Sequence, residues 1–503
     1  PALNLLAEAD AGPPDELRTA EAQHLRGQIA LEQRHGHEAA RLLVGAARRL
    51  EPLDTRSARE THLQALGAAI WAGDSEQPGI LREIAAATRA APPGPMPARA
   101  EDVLLDALAI RLLEGHTAAV PALARAQREM LTLNPGTDID VSRYLWLVGM
   151  RAGGIVAGEL WDDDARHALA ARQADAARNA GALVQLQYAL SFVAWTHLDA
   201  GELTAAARLL DEDRLIAEAT GSPPVAFCAV LLAGWQGDAG AAIERYEAMV
   251  RLASAGRIAR LLTVADHAIA VLHNGFGRHD AARDAALRAF RRGDLGYEPF
   301  VVAELAEAAS RTHDRALVST LLQLMAERAH TTPTEWALGT EACVRAMASD
   351  GDTAKTCYQE SIDRLGRTRM RAQLARTHLL YGEWLRREKQ RAEAREHLRR
   401  AYEMLTAMGI EAFAERARRE LQATGETVRK RSVIQAIELT GQEAQIARLV
   451  HEGLSNQEIS TRLFLSPRTV EWHLRKVFIK LGISSRRQLR GPLSPDVRRA
   501  LRI

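Results

Sequence analysis

Between Ser466 and Leu481 the sequence sets Arg468, Arg475, Lys476 and Lys480 among Thr469, Glu471, Trp472 and His473. One short segment thus offers guanidinium and ammonium donors, hydroxyls, an imidazole, a carboxylate and an indole face. The cations suit phosphate oxygens, while a planar guanidinium, a carboxylate and a flat ring suit base edges and methyl groups. Spacing decides whether they can act together. At roughly 100° per residue, Val470, Leu474, Val477, Phe478 and Leu481 fall on one stripe, which predicts a core face. Opposite lie Arg468, Trp472, Arg475 and Lys476, with Thr469 and Glu471 beside them and His473 and Lys480 on one flank. A helix with its apolar stripe committed inward and its cations outward suits the major groove of a duplex.

The elements that would position this helix carry their own start and stop signals. Thr440-Gly-Gln-Glu443 reads as a capping box, in which a hydroxyl and a carboxylate each satisfy a backbone N–H of the first turn. The helix it opens runs from Gly441 to His451, burying Ala444, Ile446, Ala447 and Val450, and stops at Gly453. Ser455-Asn-Gln-Glu458 is a second capping box, opening a short helix through Leu463 with Ile459 and Leu463 facing in. Ser466-Pro467 starts the third, with Ser as cap and Pro at the first helical position, where its missing N–H does no harm. This helix ends at Leu481, and Ser484 to Arg490 makes a fourth. Two short helices joined by a tight turn, the second longer and basic, follow the helix-turn-helix plan.

Charge separates this segment from the rest. Glu426–Ile503 holds 15 Lys/Arg against 7 Asp/Glu, net +8, whereas the preceding residues hold 50 against 57, net −7. A basic module on a mildly acidic body points to a polyanionic partner. The triplet Arg429-Lys430-Arg431 sits in a polar linker, so the expected domains are residues 1–424, a basic linker at 425–438, and residues 439–503.

Residues 15–424 are rich in Ala, Leu, Arg and Glu, strong helix formers, and show no period-2 alternation. Breakers recur at Gly36-His37, Gly73-Asp74, Gly115-His116, Gly158-Glu159, Gly201-Glu202, Gly237-Asp238, Gly277-Arg278, His313-Asp314, Gly351-Asp352 and Gln390-Arg391. Steps of about 36–43 residues lie between the tetratricopeptide period and those of longer helix-pair repeats. Each segment reads as a helix, a tight turn and a second helix, and the last, Ala375–Leu385 followed by Ala392–Leu398, is the clearest. The expected fold is all-α: a tetratricopeptide-like helical-repeat superhelix followed by a four-helix DNA-binding domain. Such arrays bury a continuous core and leave a concave surface for a peptide, protein or small effector; serving purely as spacer is the alternative.

Leu439-Thr-Gly-Gln-Glu443, Gly453-Leu-Ser-Asn-Gln-Glu-Ile459, Leu465-Ser-Pro-Arg-Thr-Val-Glu-Trp-His473 and Lys480-Leu-Gly-Ile483 resemble the DNA-binding domain of the LuxR family of regulators. The repeats ahead of it resemble the large ATP-binding, maltose-regulator-like subgroup. The resemblance implies that Thr469, Glu471, Trp472 and Arg475 face bases, while Ser466, Arg468, His473, Lys476 and Lys480 hold phosphates. It further implies a homodimer on DNA through the fourth helix, Ile483 to Leu489, and RNA polymerase as a further partner. Glu471 departs from the lysine many members place there. It suits acceptance from a cytosine amino group, or pairing with Arg468 or Arg475. Trp472 suits contact with a thymine methyl, or packing against the array.

Other functions find little support. There is no G-x-x-x-x-G-K-[ST], and Gly351-Asp-Thr-Ala-Lys355-Thr is too short and lies at a repeat turn, so no ATP or other cofactor is expected of this chain. The subgroup's nucleotide-binding domain is then either absent upstream, which the missing initiator Met favours, or lost. An enzyme would need nucleophile or metal spacing. The sequence has no H-E-x-x-H and no G-x-S-x-G, His35-Gly-His37 is a turn, and Trp161-Asp-Asp-Asp164 reads as a solvated helix cap. Cys228, Cys343 and Cys357 form no CxxC pair and read as buried apolar residues in a reducing cytoplasm. No signal peptide or bilayer-length apolar run stands out. A transcriptional regulator is therefore expected, with an interaction scaffold that binds DNA non-specifically as the alternative.

Overall fold

The recurring breakers are the turns of helical hairpins. Gly201 (φ +74°) separates helix Leu183–Asp199 from Leu203–Thr220, and Gly277 (φ +71°) separates Ala259–Phe276 from His279–Arg292. Both need the left-handed backbone that glycine adopts without steric cost. Two positions differ from the sequence reading. Gly158 lies inside the short helix Val156–Glu159, and Trp161 (φ +53°) takes the left-handed turn instead. Gly36 opens helix Gly36–Leu50 without turning left-handed. Both serve close packing: a Cβ on Gly158 would stand 2.4 Å from the Gly296 carbonyl oxygen, and one on Gly36 would stand 2.9 Å from the Ala72 Cβ.

The computed structural model describes residues 5–6, 15–33, 35–73, 79–149, 152–225, 227–256, 258–426, 439, 441–463, 465–481 and 486–490. It divides into two units, Pro1–Val428 and Arg429–Ile503. The fold is all-α, and among the described residues there is no strand. None of the described helices is long and apolar enough to cross a membrane.

Within the first unit the two helices of a hairpin play different parts. In Ala259–Phe276, 14 of 18 residues are buried, whereas in its hairpin partner His279–Arg292 only 4 of 14 are. A helix buried on every side belongs inside, and one with a single apolar stripe belongs on the surface. The inner helices pack against distant repeats as well as adjacent ones. Helix Thr55–Ala72 meets Ala259–Phe276, and Leu183–Asp199 meets Arg371–Arg387. The Arg369 amide donates to Asp163 at 2.6 Å, and Thr334 Oγ1 donates to the Trp161 carbonyl at 2.8 Å. A linear solenoid contacts only its nearest neighbours. Here contacts between far-separated repeats fill the inner face, so the open concave groove expected of such an array is occupied by its own helices.

Aromatic rings and paired charges occupy much of that interior. Trp195 lies 5.2 Å from Tyr297 and 4.9 Å from Phe300, and Phe300 lies 5.4 Å from Trp336 (ring centroids). The Arg166 guanidinium sits 4.7 Å over both Trp195 and Phe300 and pairs with buried Asp199. A buried charge is tolerated only with such partners. The three cysteines are free and buried. Burial pushes the Cys343 thiol up to about 11, so it packs as a small apolar group.

The acidic run Trp161–Asp164 is a helix cap, but a partly buried one. Asp162 accepts from the Ala165 amide at 2.9 Å and from Gln127 at 2.7 Å, which spends its oxygens inside the array. Among the described residues no group of His, Cys, Asp or Glu has the arrangement to hold a metal ion. Lys355, in the nearest approach to a phosphate loop, stands on helix Gly351–Leu365 and pairs with Glu393 of helix Arg391–Met408 at 2.7 Å.

Candidate nucleic-acid interface

The second unit is built from four helices, Gly441–His451, Asn456–Leu463, Pro467–Leu481 and Arg486–Arg490. Its core joins Ile446, Ala447, Leu449 and Val450 of the first to Ile459 of the second, Val470, Leu474, Val477 and Leu481 of the third, and Leu489 of the fourth. Phe478 and Leu463, expected inside, are half-buried at the margin. Every fully inward residue of the third helix is apolar, so its opposite face is left to solvent.

Caps fix where the helices begin. Ser455 donates from its amide to Glu458 Oε2 at 2.7 Å, and the Glu458 amide donates back to Ser455 Oγ at 3.3 Å, a reciprocal capping box. Gly453 (φ +101°) ends the first helix in the left-handed region. Ser466 Oγ accepts from the Thr469 amide at 3.0 Å and lies 2.7 Å from Thr469 Oγ1. Thr440, of the first capping box, lies outside the described residues; so do residues 482–485, which precede the fourth helix.

Arg486, read from the sequence only as part of a basic stretch, anchors the fourth helix. Its guanidinium donates to Asn456 Oδ1 at 2.5 Å and to the Leu454 carbonyl, clamping the turn between the first two helices. His451 Nδ1 lies 2.7 Å from the Leu489 carbonyl. Nothing in the spacing distinguishes Arg486 from Arg487 or Arg490, because the partner is a turn thirty residues away.

The outward face of the third helix presents Arg468, Glu471, Trp472, Arg475 and Lys476, all exposed. Trp472 is 53% exposed, and the Lys476 ammonium lies 3.7 Å above its ring. Such a stack at an exposed site is worth about 0.5–1 kcal/mol, enough to orient the lysine without trapping it. Glu471 lies 3.8 Å from Arg475, four residues on, with both side chains largely in water. An exposed pair of that kind contributes at most about 0.5 kcal/mol, so Arg475 stays available to a stronger acceptor. Thr469 is half-buried, with its hydroxyl turned to Ser466.

His473 differs from the others. It is half-buried, edge-on to Trp472 at 4.8 Å, and its Nδ1 is buried without a hydrogen-bond partner among the described residues. Lys480 falls within the third helix, but its side chain lies outside the described residues. The structure thus brings Arg468, Glu471, Trp472, Arg475 and Lys476 onto one exposed surface, with Ser466 and Thr469 at its amino-terminal edge.

Residues 438–490 match the family model of bacterial regulatory proteins of the luxR family. Putative HTH-type transcriptional regulators of Mycobacterium bovis and Mycobacterium tuberculosis are each 49% identical to the chain over 78 residues. That stretch is 16% of this chain and 8% of each relative. The HTH-type transcriptional regulator AlkS of Pseudomonas putida is 38% identical over 50 residues, 10% of this chain and 6% of that protein. The chain therefore matches only a small part of the length of these relatives, and the match is local. A buried apolar stripe, capped short helices and an exposed basic face, over the residues that match, make the carboxy-terminal unit a LuxR-family helix-turn-helix domain.

Proposed function

We propose that this protein is a sequence-specific DNA-binding transcriptional regulator. Helix Pro467–Leu481 lies in the major groove, and the helical-repeat array receives an effector or partner. The observation that carries the reading is the exposed face Arg468, Trp472, Arg475 and Lys476 on a helix whose other side packs Val470, Leu474, Val477 and Leu481 into the core. Arg475 has the fork geometry to donate to a guanine edge. Trp472 offers an apolar face to a thymine methyl, and Glu471 and Thr469 complete the base-facing set. Arg468, Lys476, Lys480, Ser466 and His473 hold the backbone.

Two copies pair on DNA through the fourth helix. Leu489 stays in its own domain's core, which leaves the other side of that short helix for the partner. The weak tie between Glu471 and Arg475 supports an arginine released on binding. The array, with its interior filled, offers an effector the recesses between its helices, and RNA polymerase is the downstream partner of the assembled dimer.

Selection of random duplexes by the whole chain, repeated with Arg475→Ala and Lys476→Ala, tests this reading. The expected result is a defined half-site, relaxed at one position by Arg475→Ala and uniformly weakened by Lys476→Ala. Enrichment of no motif, with binding equal across sequences, would instead favour a scaffold that holds DNA non-specifically.

A further inference from the structure

We infer that the array carries a binding site for a small polyanion, a metabolite with two or more carboxylate or phosphate groups. The site is the recess of about 380 Å³ lined by His279, Arg311, Glu383, Arg386, Arg387, Arg416, Arg419 and Glu420. This inference rests on the reading of the array as the effector-receiving part of the protein.

Five arginines line the recess against two glutamates, and both glutamates are already committed. Glu383 accepts from Arg416 at 2.7 and 2.8 Å and also from Arg311. Glu420 accepts from Arg386 at 2.6 Å. Below them, buried Glu307 takes Arg416 and Arg376, each at 2.5 Å. No carboxylate remains for Arg387 and Arg419, which are exposed at the rim without an acid partner among the described residues. The recess therefore keeps an excess of fixed positive charge over a floor of arginines held in place by buried acids.

The surroundings are consistent with that excess. Burial, with Arg416 and Arg387 nearby, pulls the Arg311 guanidinium down to about 10, an unusual displacement for arginine. Burial also brings the His279 imidazole down to about 4, so it stands neutral beside the cations. Helix His279–Arg292 begins at the recess with no side-chain cap on its first amides, and the positive end of a helix favours anions. The volume lies in the range of small-molecule sites, and paired guanidinium forks suit carboxylate or phosphate groups held at two points.

Calorimetric titration of the full chain with pyrophosphate and with citrate, at physiological ionic strength, tests the inference. Saturable binding of at least one probe is expected. It should weaken about tenfold with either Arg387→Ala or Arg419→Ala, more with both, and stay unchanged with Arg214→Ala, an exposed arginine that does not line the recess. The rim residues are exposed, so these variants keep the fold, and the far-ultraviolet spectrum checks it. Absence of saturable binding by both probes overturns the site, and so does an affinity indifferent to the double variant. Duplex binding by the same preparations reports separately on the regulator reading, which stands or falls on that measurement.

Discussion

Replacing Lys476 by alanine changes the salt dependence of DNA binding in a way that can be worked out beforehand. The ammonium lies 3.7 Å above the Trp472 ring in the free domain. Leaving that stack for a phosphate costs about 0.5–1 kcal/mol, less than the phosphate contact returns at low salt. If Arg468, Lys476 and Lys480 each neutralise one phosphate, the proposed dimer would make about six such contacts, and log K should fall with log salt at a slope of about −5. Removing Lys476 from both copies leaves about four contacts and a slope of about −3.6. Between ~50 and ~200 mM salt the native protein should lose about three decades of affinity and the variant about two. The two binding curves therefore converge as salt rises. Fluorescence anisotropy on the selected duplex, across that salt range, measures both slopes. An unchanged slope in Lys476→Ala would show that the lysine stays on Trp472 in the complex, and the phosphate assignment would fall.

Three further outcomes follow from the geometry. Ser455→Ala removes one half of the reciprocal capping box with Glu458, and thermal unfolding of the carboxy-terminal unit should show a loss of about 1 kcal/mol; an unaltered melt would mean that the cap contributes nothing. Burial holds the His267 imidazole near 3, beside Tyr297 Oη at 3.1 Å. Its folded-state value lies below its unfolded 6.5, so its contribution is complete above pH 6.5 and declines toward the folded value as the unfolded chain takes up the proton. Urea unfolding should show up to about 1.4 kcal/mol lost per pH unit on the acid side, and His267→Gln should remove that component; equal slopes in both proteins would refute the assignment. Hydrogen exchange should find helix Glu411–Ala423 protected together with Ala259–Phe276, because Phe413 and Arg416 reach into the latter. Independent opening of the last helix, as in the end repeat of a linear stack, would contradict the packing described.

Local rules made the carboxy-terminal unit readable. Capping residues, a proline at the first helical position and an apolar stripe at helical spacing each act within a few residues, so the boundaries of Pro467–Leu481 and its inward face follow from sequence. The same is true of most of the hairpin beat, since glycine takes the left-handed turn without steric cost, although Trp161, His313 and Lys389 take it as well. What sequence could not supply is contact between distant segments. Gly158 looked like a turn because glycine has two uses, and the close approach of Gly296 becomes visible only in space. The buried charge network escaped for a related reason, although Glu304 and Glu307 do stand out as two acids about one turn apart in the apolar middle of their helix. Their partners, Arg376 and Arg416, lie 69 to 109 residues further on.

Filling the inner face changes how the array can respond to a ligand. In an open stack a bound molecule touches one or two repeats, and its effect decays along the chain. Here the recess around Arg416 is lined from helices Ala259–Phe276, His279–Arg292, Glu298–Arg311, Arg371–Arg387 and Glu411–Ala423, which come from three separate stretches of sequence. Arg416 binds Glu307, Glu383 and the Asn274 carbonyl at once. An anion drawing Arg416 or Arg311 away from Glu383 would leave a buried carboxylate short of a partner, a state that low-dielectric surroundings penalise heavily. The network would then have to re-pair, and Arg416, on Glu411–Ala423, is part of it. That helix is the last of its unit, so the chain leaves it directly for the segment leading to Gly441. The element that would sense an anion and the element that continues toward the DNA-binding domain are thus the same helix.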